Sequence, residues 1–375
     1  MIIGIDARSL SHQPLTGIGR YTLEMSRALS KLPRVSLYLY SPAPISRDLA
    51  TGLNSTVIRT GQSKNRILKQ IWSEAYLPFF IKKDGVDVFW GPAHRLPRLL
   101  PKSMPRVVTI HDLVWKYAKE TMRRTTYILE KYSMPSALRA ADAIVADSKA
   151  TADAVALEFR VTADRLVVIP LAANWTKNTV PFDALKTYGI DRPYFLFVGT
   201  LEPRKNLSRL LKAYALLSPA KKKHAMLVIV GGKGWGDVNI NKSINELGLA
   251  GNTRVLGYVD DQVLTALYTH AQFLTMPSLY EGFGLPILEA MVHGTPVLTA
   301  NNSSMPEVAG DAGLLVDALD IKSIAKGLEQ LISDDQMLTH LAANAKKNAA
   351  RYGWEESARQ LVTVFERAVA NRHPR

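Results

Sequence analysis

The sequence predicts an α/β protein built on two parallel sheets. Short apolar segments alternate with amphipathic helical patterns along most of the 375 residues, as expected for strands joined by crossover helices that cover both sheet faces. The alternation occurs twice. It is interrupted near residues 171–192, where few apolar residues recur and Pro181 precedes a second proline at 193. A prior of about 150 residues per domain allows two or three domains, and 47% apolar residues suffice for real cores.

In the first half, residues 2–5, 36–40, 86–90, 107–110, 143–145 and 166–169 read as strands, with helices at 21–32, 67–80, 127–139 and 149–159. In the second half, strands fall at 194–198, 226–230, 254–256, 273–276, 296–299 and 314–316. Helices fall at 207–217, 261–270, 286–293 and 321–331. Residues 335–367 read as helical with no further strand. The expected organisation is a Rossmann-like domain over 1–172, a linker over 173–192, a second such domain over 193–354 and a terminal helix within 355–375.

The chain has no cysteine, which excludes disulfides and thiolate metal sites. The opening Met1-Ile2-Ile3-Gly4-Ile5-Asp6 lacks a basic n-region, so a signal peptide is not expected. No segment holds about 18 uninterrupted apolar residues, so a spanning helix is not expected either. The formal charge is +14, and residues 61–140 alone carry fifteen Lys/Arg against six Asp/Glu. An anionic membrane, an anionic small substrate or nucleic acid each accounts for such an excess. No zinc-finger spacing or RNP-type motif supports nucleic acid, which is not expected as a partner.

Within that stretch Lys64, Arg66 and Lys69 flank Ile67, Leu68, Ile71 and Trp72, followed by Phe79, Phe80, Lys82 and Lys83; Arg123 and Arg124 add a second basic pair. Two readings stay open. Interleaved cations and aromatics suit a membrane interface, at about 1 kcal/mol per cation. Equally, an ordinary helix would pack Ile67, Ile71 and Trp72 into its domain.

Open parallel sheets bind ligands beyond the carboxyl ends of their strands, so the loops after strands come next. Thr16-Gly17-Ile18-Gly19 opens a helix and can offer backbone N–H groups to a diphosphate, though it lacks a third glycine for a dinucleotide fingerprint. His111 ends the 107–110 strand; it suits a sugar hydroxyl or a developing charge, or a structural turn. Gly199-Thr200-Leu201-Glu202-Pro203-Arg204-Lys205-Asn206 brings a planar fork and a point charge to one turn, a combination suited to a diphosphate. Gly231-Gly232-Lys233-Gly234-Trp235-Gly236 permits close approach to a base or ribose, or is a connector. Gly257-Tyr258-Val259-Asp260 offers backbone to a base, with Asp260 as a helix cap. Ser304-Met305-Pro306-Glu307 reads as a capping box, with Ser303 left as a ligand candidate.

The most informative segment is Pro277-Ser278-Leu279-Tyr280-Glu281-Gly282-Phe283-Gly284-Leu285-Pro286-Ile287-Leu288-Glu289. Two glycines between two carboxylates let backbone N–H groups approach a ligand. Pro286 has the φ of a first helical residue. The helix behind it aims unpaired N–H groups and partial positive charge at the loop, where phosphate binds well. Glu281 in the loop and Glu289 about a turn inside the helix reach different parts of one phosphorylated sugar.

With these loops in place the chain resembles glycosyltransferase family 4, retaining enzymes of the GT-B fold, in which two Rossmann-like domains face each other across a cleft. The likeness covers nearly the whole chain. It is strongest over 194–317 and includes two glutamates separated by seven intervening residues, Glu281 and Glu289, with the later Gly294-Thr295-Pro296-Val297. It implies that Glu281 and the backbone of Gly282, Phe283 and Gly284 hold the donor sugar and that Glu289 holds the ribose hydroxyls. Arg204, Lys205 and the helix terminus at Leu285 would neutralise the diphosphate, and His111 would sit near the transferred sugar. Gly17 and Gly19 would approach the phosphates, while Gly232, Tyr258 and Val259 line the base side. The first domain would bind the acceptor, and the terminal helix would cross back to it. Two departures stand out. Thr200 occupies a position that is basic in many members, and the linker entry Ile169-Pro170-Leu171-Ala172-Ala173-Asn174 lacks the usual asparagine and glycine.

The resemblance further implies front-face transfer of a hexose with retention, the leaving phosphate taking the acceptor's proton. No Asp-x-Asp motif lies in a suitable loop, so neither a metal nor a cofactor is expected, the nucleotide-diphosphate sugar being a substrate. Surroundings such as Trp72, Leu77-Pro78 and Trp90-Gly91-Pro92 point to GDP-mannose. The expected acceptor is a glycan or a polyprenyl-diphosphate-linked glycan, in cell-surface polysaccharide synthesis at the inner face of the cytoplasmic membrane. The alternatives are a nucleotide-sugar epimerase of the same fold, which needs further acids by the sugar, and a non-enzymatic sugar- or nucleic-acid-binding protein. A phosphorylase would need a much longer chain.

Overall fold

A computed structural model describes residues 1–12, 15–62, 65–174, 180–235 and 239–372. Lys64, Gly236 and part of the expected linker, residues 175–179, lie outside them. The chain forms two compact units. The first comprises Met1–Leu113, Arg124–Leu171 and Tyr352–Arg375; the second comprises Val114–Arg123 and Ala172–Arg351.

The first unit carries seven parallel strands: β1 (Ile2–Asp6), β2 (Ser36–Ser41), β3 (Thr56–Thr60), β4 (Val88–Gly91), β5 (Arg106–Ile110), β6 (Ala143–Ala146) and β7 (Leu166–Val168). Their spatial order is β3-β2-β1-β4-β5-β6-β7. β4, β5 and β6 are buried at every position; β4 and β6 read as apolar runs, while β5 also buries Arg106 and Thr109. β3, at the edge, keeps Val57 and Ile58 exposed between threonines, and its mixed polarity hid it from the sequence. The helix Gly17–Ser30 packs against the sheet together with the helix Trp354–Arg372.

The helix expected over 67–80 is interrupted. Arg66–Ile71 is α-helical, Trp72–Tyr76 is a π-helical turn, and Leu77–Lys83 resumes the α-helix. Pro78 has no N–H to give the preceding turn, and Leu77 N–H reaches back to Trp72 O instead. Leu77 and Ile81 enter the core, with Trp72 and Phe80 half-buried against it. Ile67, Leu68, Ile71 and Phe79 stay exposed, so Ile67 and Ile71 do not pack inward as an ordinary helix would require.

The second unit carries six parallel strands: β8 (Tyr194–Val198), β9 (Met226–Val230), β10 (Thr253–Gly257), β11 (Leu274–Met276), β12 (Val297–Ala300) and β13 (Gly313–Val316). Their order is β10-β9-β8-β11-β12-β13. Phe195, Phe197, Leu227 and Ile229 meet Leu210, Leu211, Ile324 and Leu328 from the covering helices in one core. Much of the expected linker is folded onto this unit. Phe182–Tyr188 forms a 3-10 helix with Leu185 buried, Ile190 is buried, and Gly189 O accepts Arg254 Nε–H at 3.0 Å.

In both sheets the strand order reverses after the first strand, at β1/β4 and at β8/β11. Such a switch point splays the loops of two neighbouring strands to opposite sides and leaves a crevice at their carboxyl ends.

Candidate functional site

The β8/β11 switch point brings together residues far apart in sequence. The loop after β8 ends in a 3-10 turn, Pro203–Lys205, and the loop after β11 ends at the helix Leu285–Val292. Pro286 is therefore the second helical residue, one position later than expected. Gly284 precedes the helix at φ +96°, a conformation that favours glycine. In its first turn Pro286 has no N–H and Ile287 N–H donates to Gly284 O at 2.9 Å, whereas Leu285 N–H has no carbonyl within the helix to bond.

Four charges meet here. Glu281 Oε2 lies 2.6 Å from Arg204 Nη1, and Glu281 Oε1 lies 2.7 Å from Lys205 Nζ. Arg204 Nη2 also reaches Glu202 Oε1 at 2.7 Å, and its Nη1–H donates to Tyr280 O at 2.6 Å. Glu202, Lys205 and Glu281 are buried. Burial favours the neutral carboxyl of Glu281, but the Arg204 and Lys205 charges prevail and bring it from 4.5 down to about 2. At Glu202 burial prevails and the carboxyl is raised, despite Arg204 and Lys205. The cluster is thus electrically balanced by the protein itself. Arg204, gripped by two carboxylates and a carbonyl, acts as a strut between the two loops. Lys205, with one carboxylate acceptor on its three hydrogens, is the more available cation for a phosphate oxygen.

Four further residues complete the site, two of them in roles the sequence did not show. Asn206 sits in the left-handed region at φ +61°, and its Nδ2 donates to Pro277 O at 2.9 Å and Ala318 O at 2.7 Å. It joins the ends of β8, β11 and β13. The signal was present, since an asparagine tolerates this conformation just before a helix. Ser304 corrects the capping-box reading. It makes no side-chain cap; its Oγ lies 2.9 Å from both Glu281 O and Phe283 O. Two buried carbonyls of the glycine loop need a donor more than the helix needs a cap. Ser303 Oγ accepts the Glu281 N–H at 3.0 Å. Glu289 lies in the second turn of its helix, with Tyr268 Oη–H donating to its Oε2 at 2.7 Å. The role expected of Glu289 therefore comes with an orienting partner.

Loops after neighbouring strands are stitched to the same end of this sheet. Gly199 N–H donates to Val230 O, Leu201 N–H to Gly232 O and Gly231 N–H to Gly257 O, at 2.8–3.1 Å. A Cβ at Gly231 would overlap Gly199 O, and one at Gly234 would overlap Leu201 O, so these two glycines serve chain packing. Gly232 has no atom within 4 Å of where a Cβ would stand and remains open to a ligand. Tyr258 is exposed and Val259 half-buried, while Asp260 Oδ1 accepts Val263 N–H at 2.8 Å as a cap. The 114–123 segment adds two unforeseen supports. Tyr117 stacks on Tyr280 with centroids 5.6 Å apart, and Trp235 Nε1–H donates to Thr121 O at 2.8 Å. The second unit thus gathers Arg204, Lys205, Gly232, Tyr258, Val259, Glu281, Gly282, Phe283, Gly284, Leu285 and Glu289 at one sheet end.

Gly17, Gly19 and His111 belong to the first unit. Thr16 Oγ1 accepts the Gly19 N–H at 3.2 Å as the helix cap. Gly17 has open space where a Cβ would stand, whereas Gly19 faces Ser9 O and Leu15. His111 is buried at the end of β5, with Nδ1 2.5 Å from Asp147 Oδ2 and Nε2 2.6 Å from Pro92 O. Both ring nitrogens are engaged by the protein.

Comparison with known proteins agrees with this architecture. Residues 15–174 match the family model for glycosyltransferase family 4, and residues 186–348 match that for glycosyl transferases group 1. O-antigen chain mannosyltransferase B of Escherichia coli is 31% identical over 373 residues, covering 94% of this chain and 96% of that protein. The serotype-specific mannosyltransferase WbdA of Escherichia coli is 29% identical over 271 residues, covering 70% of this chain but only 33% of that one. Among solved structures, sucrose-phosphate synthase of Thermosynechococcus elongatus matches with a TM-score of 0.77 at 20% identity, over 99% of each chain. From the paired parallel sheets, the glutamates after β11 and this full-length relationship, the chain belongs to glycosyltransferase family 4 and has the GT-B fold.

Proposed function

We propose that the protein transfers mannose from GDP-mannose, with retention of configuration and without a metal ion, to a glycan or polyprenyl-diphosphate-linked acceptor in cell-surface polysaccharide synthesis. The observation that carries this reading is the Glu202–Arg204–Lys205–Glu281 cluster, set beside the amino end of the helix Leu285–Val292. As a nucleotide-diphosphate sugar enters, Lys205 and the helix terminus at Leu285 N–H receive the diphosphate. Glu281 turns from Lys205 toward the sugar hydroxyls, exchanging one set of donors for another. Fixed charges and dipoles of this kind stabilise the departing nucleoside diphosphate without reorganising at the moment of reaction. Glu289, held by Tyr268, accepts from the ribose hydroxyls, and Gly232, Tyr258 and Val259 meet the base. A place for His111 near the transferred sugar, its ring held by Asp147 and Pro92, and approach of Gly17 and Gly19 to the phosphates belong to the same proposal. The mannosyl donor is supported by the relative that shares the full length of the chain, itself an O-antigen chain mannosyltransferase.

Thermal-shift titration with GDP-, UDP- and ADP-sugars tests the donor, since binding to the folded state raises the melting point by mass action. GDP-mannose should give the largest shift, and NMR of the product anomer should show retention. An inverted anomer, or no shift with any nucleotide sugar, would overturn the proposal.

A further inference from the structure

The first unit has its own crevice at the β1/β4 switch point, and its chemistry is unlike that of the glutamate site. A cavity of 390 Å³ is lined by Arg8, Gln70, Glu74, Arg95, Arg98 and Leu99, among others. An adjoining hollow of 300 Å³ shares Arg8, Gln70 and Arg95 and adds Lys69 and His12. The cavity lining therefore carries three guanidinium groups against the single carboxylate of Glu74.

Two of these guanidinium groups are held in place from behind. Asp6, buried at the end of β1, grips Arg8 through two parallel contacts, Nε to Oδ1 at 2.8 Å and Nη2 to Oδ2 at 2.7 Å. That fork-to-fork pair fixes the plane of the guanidinium and uses one edge, leaving Nη1 directed elsewhere. Glu130 bridges Arg95 Nη2 and His94 Nδ1, each at 3.2 Å. His94 Nε2 in turn accepts the His111 N–H at 2.9 Å, so Arg95 is tied to the end of β5. The Glu74 carboxylate is already occupied, accepting Gln70 Nε2–H at 3.0 Å and Arg98 N–H at 2.8 Å. Ser133 Oγ, also in the lining, is buried and has no hydrogen-bond partner. Oriented cations around one hollow suit an oxyanion with several acceptor oxygens, that is, a phosphate or diphosphate.

The rim is apolar. Leu99 is 64% exposed. The short helix that supplies Lys69 and Gln70 also carries Ile67, Leu68 and Ile71, which are 69%, 52% and 47% exposed. Large aliphatic side chains grouped beside a cationic hollow match a ligand with both a charged head and a hydrocarbon tail. We propose that this cavity binds the phosphate or diphosphate head of a lipid-linked acceptor through Arg8, Arg95 and Arg98, with the chain lying over Leu99, Ile67, Leu68 and Ile71. The assignment rests on the transfer reading above for calling the ligand an acceptor, but not for the binding itself.

Farnesyl diphosphate, inorganic pyrophosphate and farnesol serve as probes in calorimetric titrations of the full chain. Farnesyl diphosphate should bind tighter than pyrophosphate by tenfold or more, and farnesol should bind weakly. Arg95→Ala and Arg98→Ala should each weaken farnesyl diphosphate roughly tenfold, the usual effect of losing one charged hydrogen bond. Leu99→Ser with Ile71→Ser should weaken farnesyl diphosphate but leave pyrophosphate unchanged. Lys205→Ala should leave farnesyl diphosphate binding unchanged, since that cation lies in the other unit. Circular dichroism of each variant guards against loss of fold, and Arg98, being exposed, is the substitution least tied to the core. Pyrophosphate binding as tightly as farnesyl diphosphate, or indifference to both arginine substitutions, overturns the inference. Sensitivity to Lys205→Ala in place of Arg95 and Arg98 also overturns it. If farnesyl diphosphate binds as described while no nucleotide sugar does, the cavity stands and the transfer reading falls.

Discussion

Glu281→Gln should make the protein less stable and yet bind nucleoside diphosphate more tightly. Glutamine keeps the shape of the side chain but removes the charge shared by Arg204 and Lys205. Arg204 retains Glu202, whereas Lys205, only 8% exposed, loses its carboxylate. Removing one member of a buried ion pair costs about 3–5 kcal/mol. An independent route gives a similar figure: a carboxyl held at about 2 instead of 4.5 contributes roughly 3 kcal/mol at neutral pH by proton linkage. At roughly 2–4 °C per kcal/mol for a domain of this size, the melting point should fall by about 6–12 °C. The sign with pH is fixed as well. Because the folded carboxyl is depressed, its contribution is complete above about 4.5 and is lost as the pH falls toward about 2. The gap in melting point between wild type and variant should therefore close over that window. Meanwhile the cluster changes from neutral to a net positive charge. GDP should bind about tenfold more tightly or better, a modest share of the ~4 kcal/mol that two charges exchange at 4 Å near a protein surface. Turnover should fall, since the sugar loses its acceptor. Differential scanning fluorimetry and calorimetric titration with GDP read the two effects separately. A variant that melts with the wild type and binds GDP no more tightly would refute the reasoning.

Four further outcomes follow from the same geometry. Asn206→Ala leaves Pro277 O and Ala318 O without their donor and should lower unfolding free energy by about 2–4 kcal/mol, read as a reduced urea midpoint at constant m-value. Gly231→Ala should fail to give soluble protein, because the new Cβ overlaps Gly199 O. Gly232→Ala should melt close to wild type and weaken nucleotide-sugar binding, because the space there is empty of protein. Tyr268→Phe removes the hydroxyl that orients Glu289; KM for the nucleotide sugar should rise about three- to tenfold with kcat nearly unchanged, as expected for a contact made equally in ground and transition states.

How much of this was legible in the sequence depended on whether the deciding interaction was local. Tyr194–Val198 and Met226–Val230 announce themselves because a strand buried on both faces has no polar position to spare. Edge strand β3 does not, since half its residues face water. Arg204, Lys205 and Glu281 were recognisable as types suited to a phosphorylated sugar. That they neutralise one another was not, because the pairing spans 76 residues and is created by β8 and β11 lying side by side. Ser304 fits a local capping pattern, but a distant loop with two needy carbonyls claimed its hydroxyl. Arg8 and Arg95 belong to no sequence motif, and only β1 and β4 lying side by side bring them to one hollow.

The helix Trp354–Arg372 belongs to the same unit as β1. Phe365 is buried with its ring 6.0 Å from Trp90, Ser357 Oγ–H donates to Pro170 O at 2.8 Å, and Arg372 Nε–H donates to Asp142 Oδ1 at 2.7 Å. During translation β1 emerges before the second unit, yet the first unit lacks a piece of its core until the helix Trp354–Arg372 leaves the ribosome. The intervening unit can reach its native state earlier, so the portion synthesised first is completed last. A chain truncated before Trp354 should carry a protease-resistant second unit and a protease-sensitive first one.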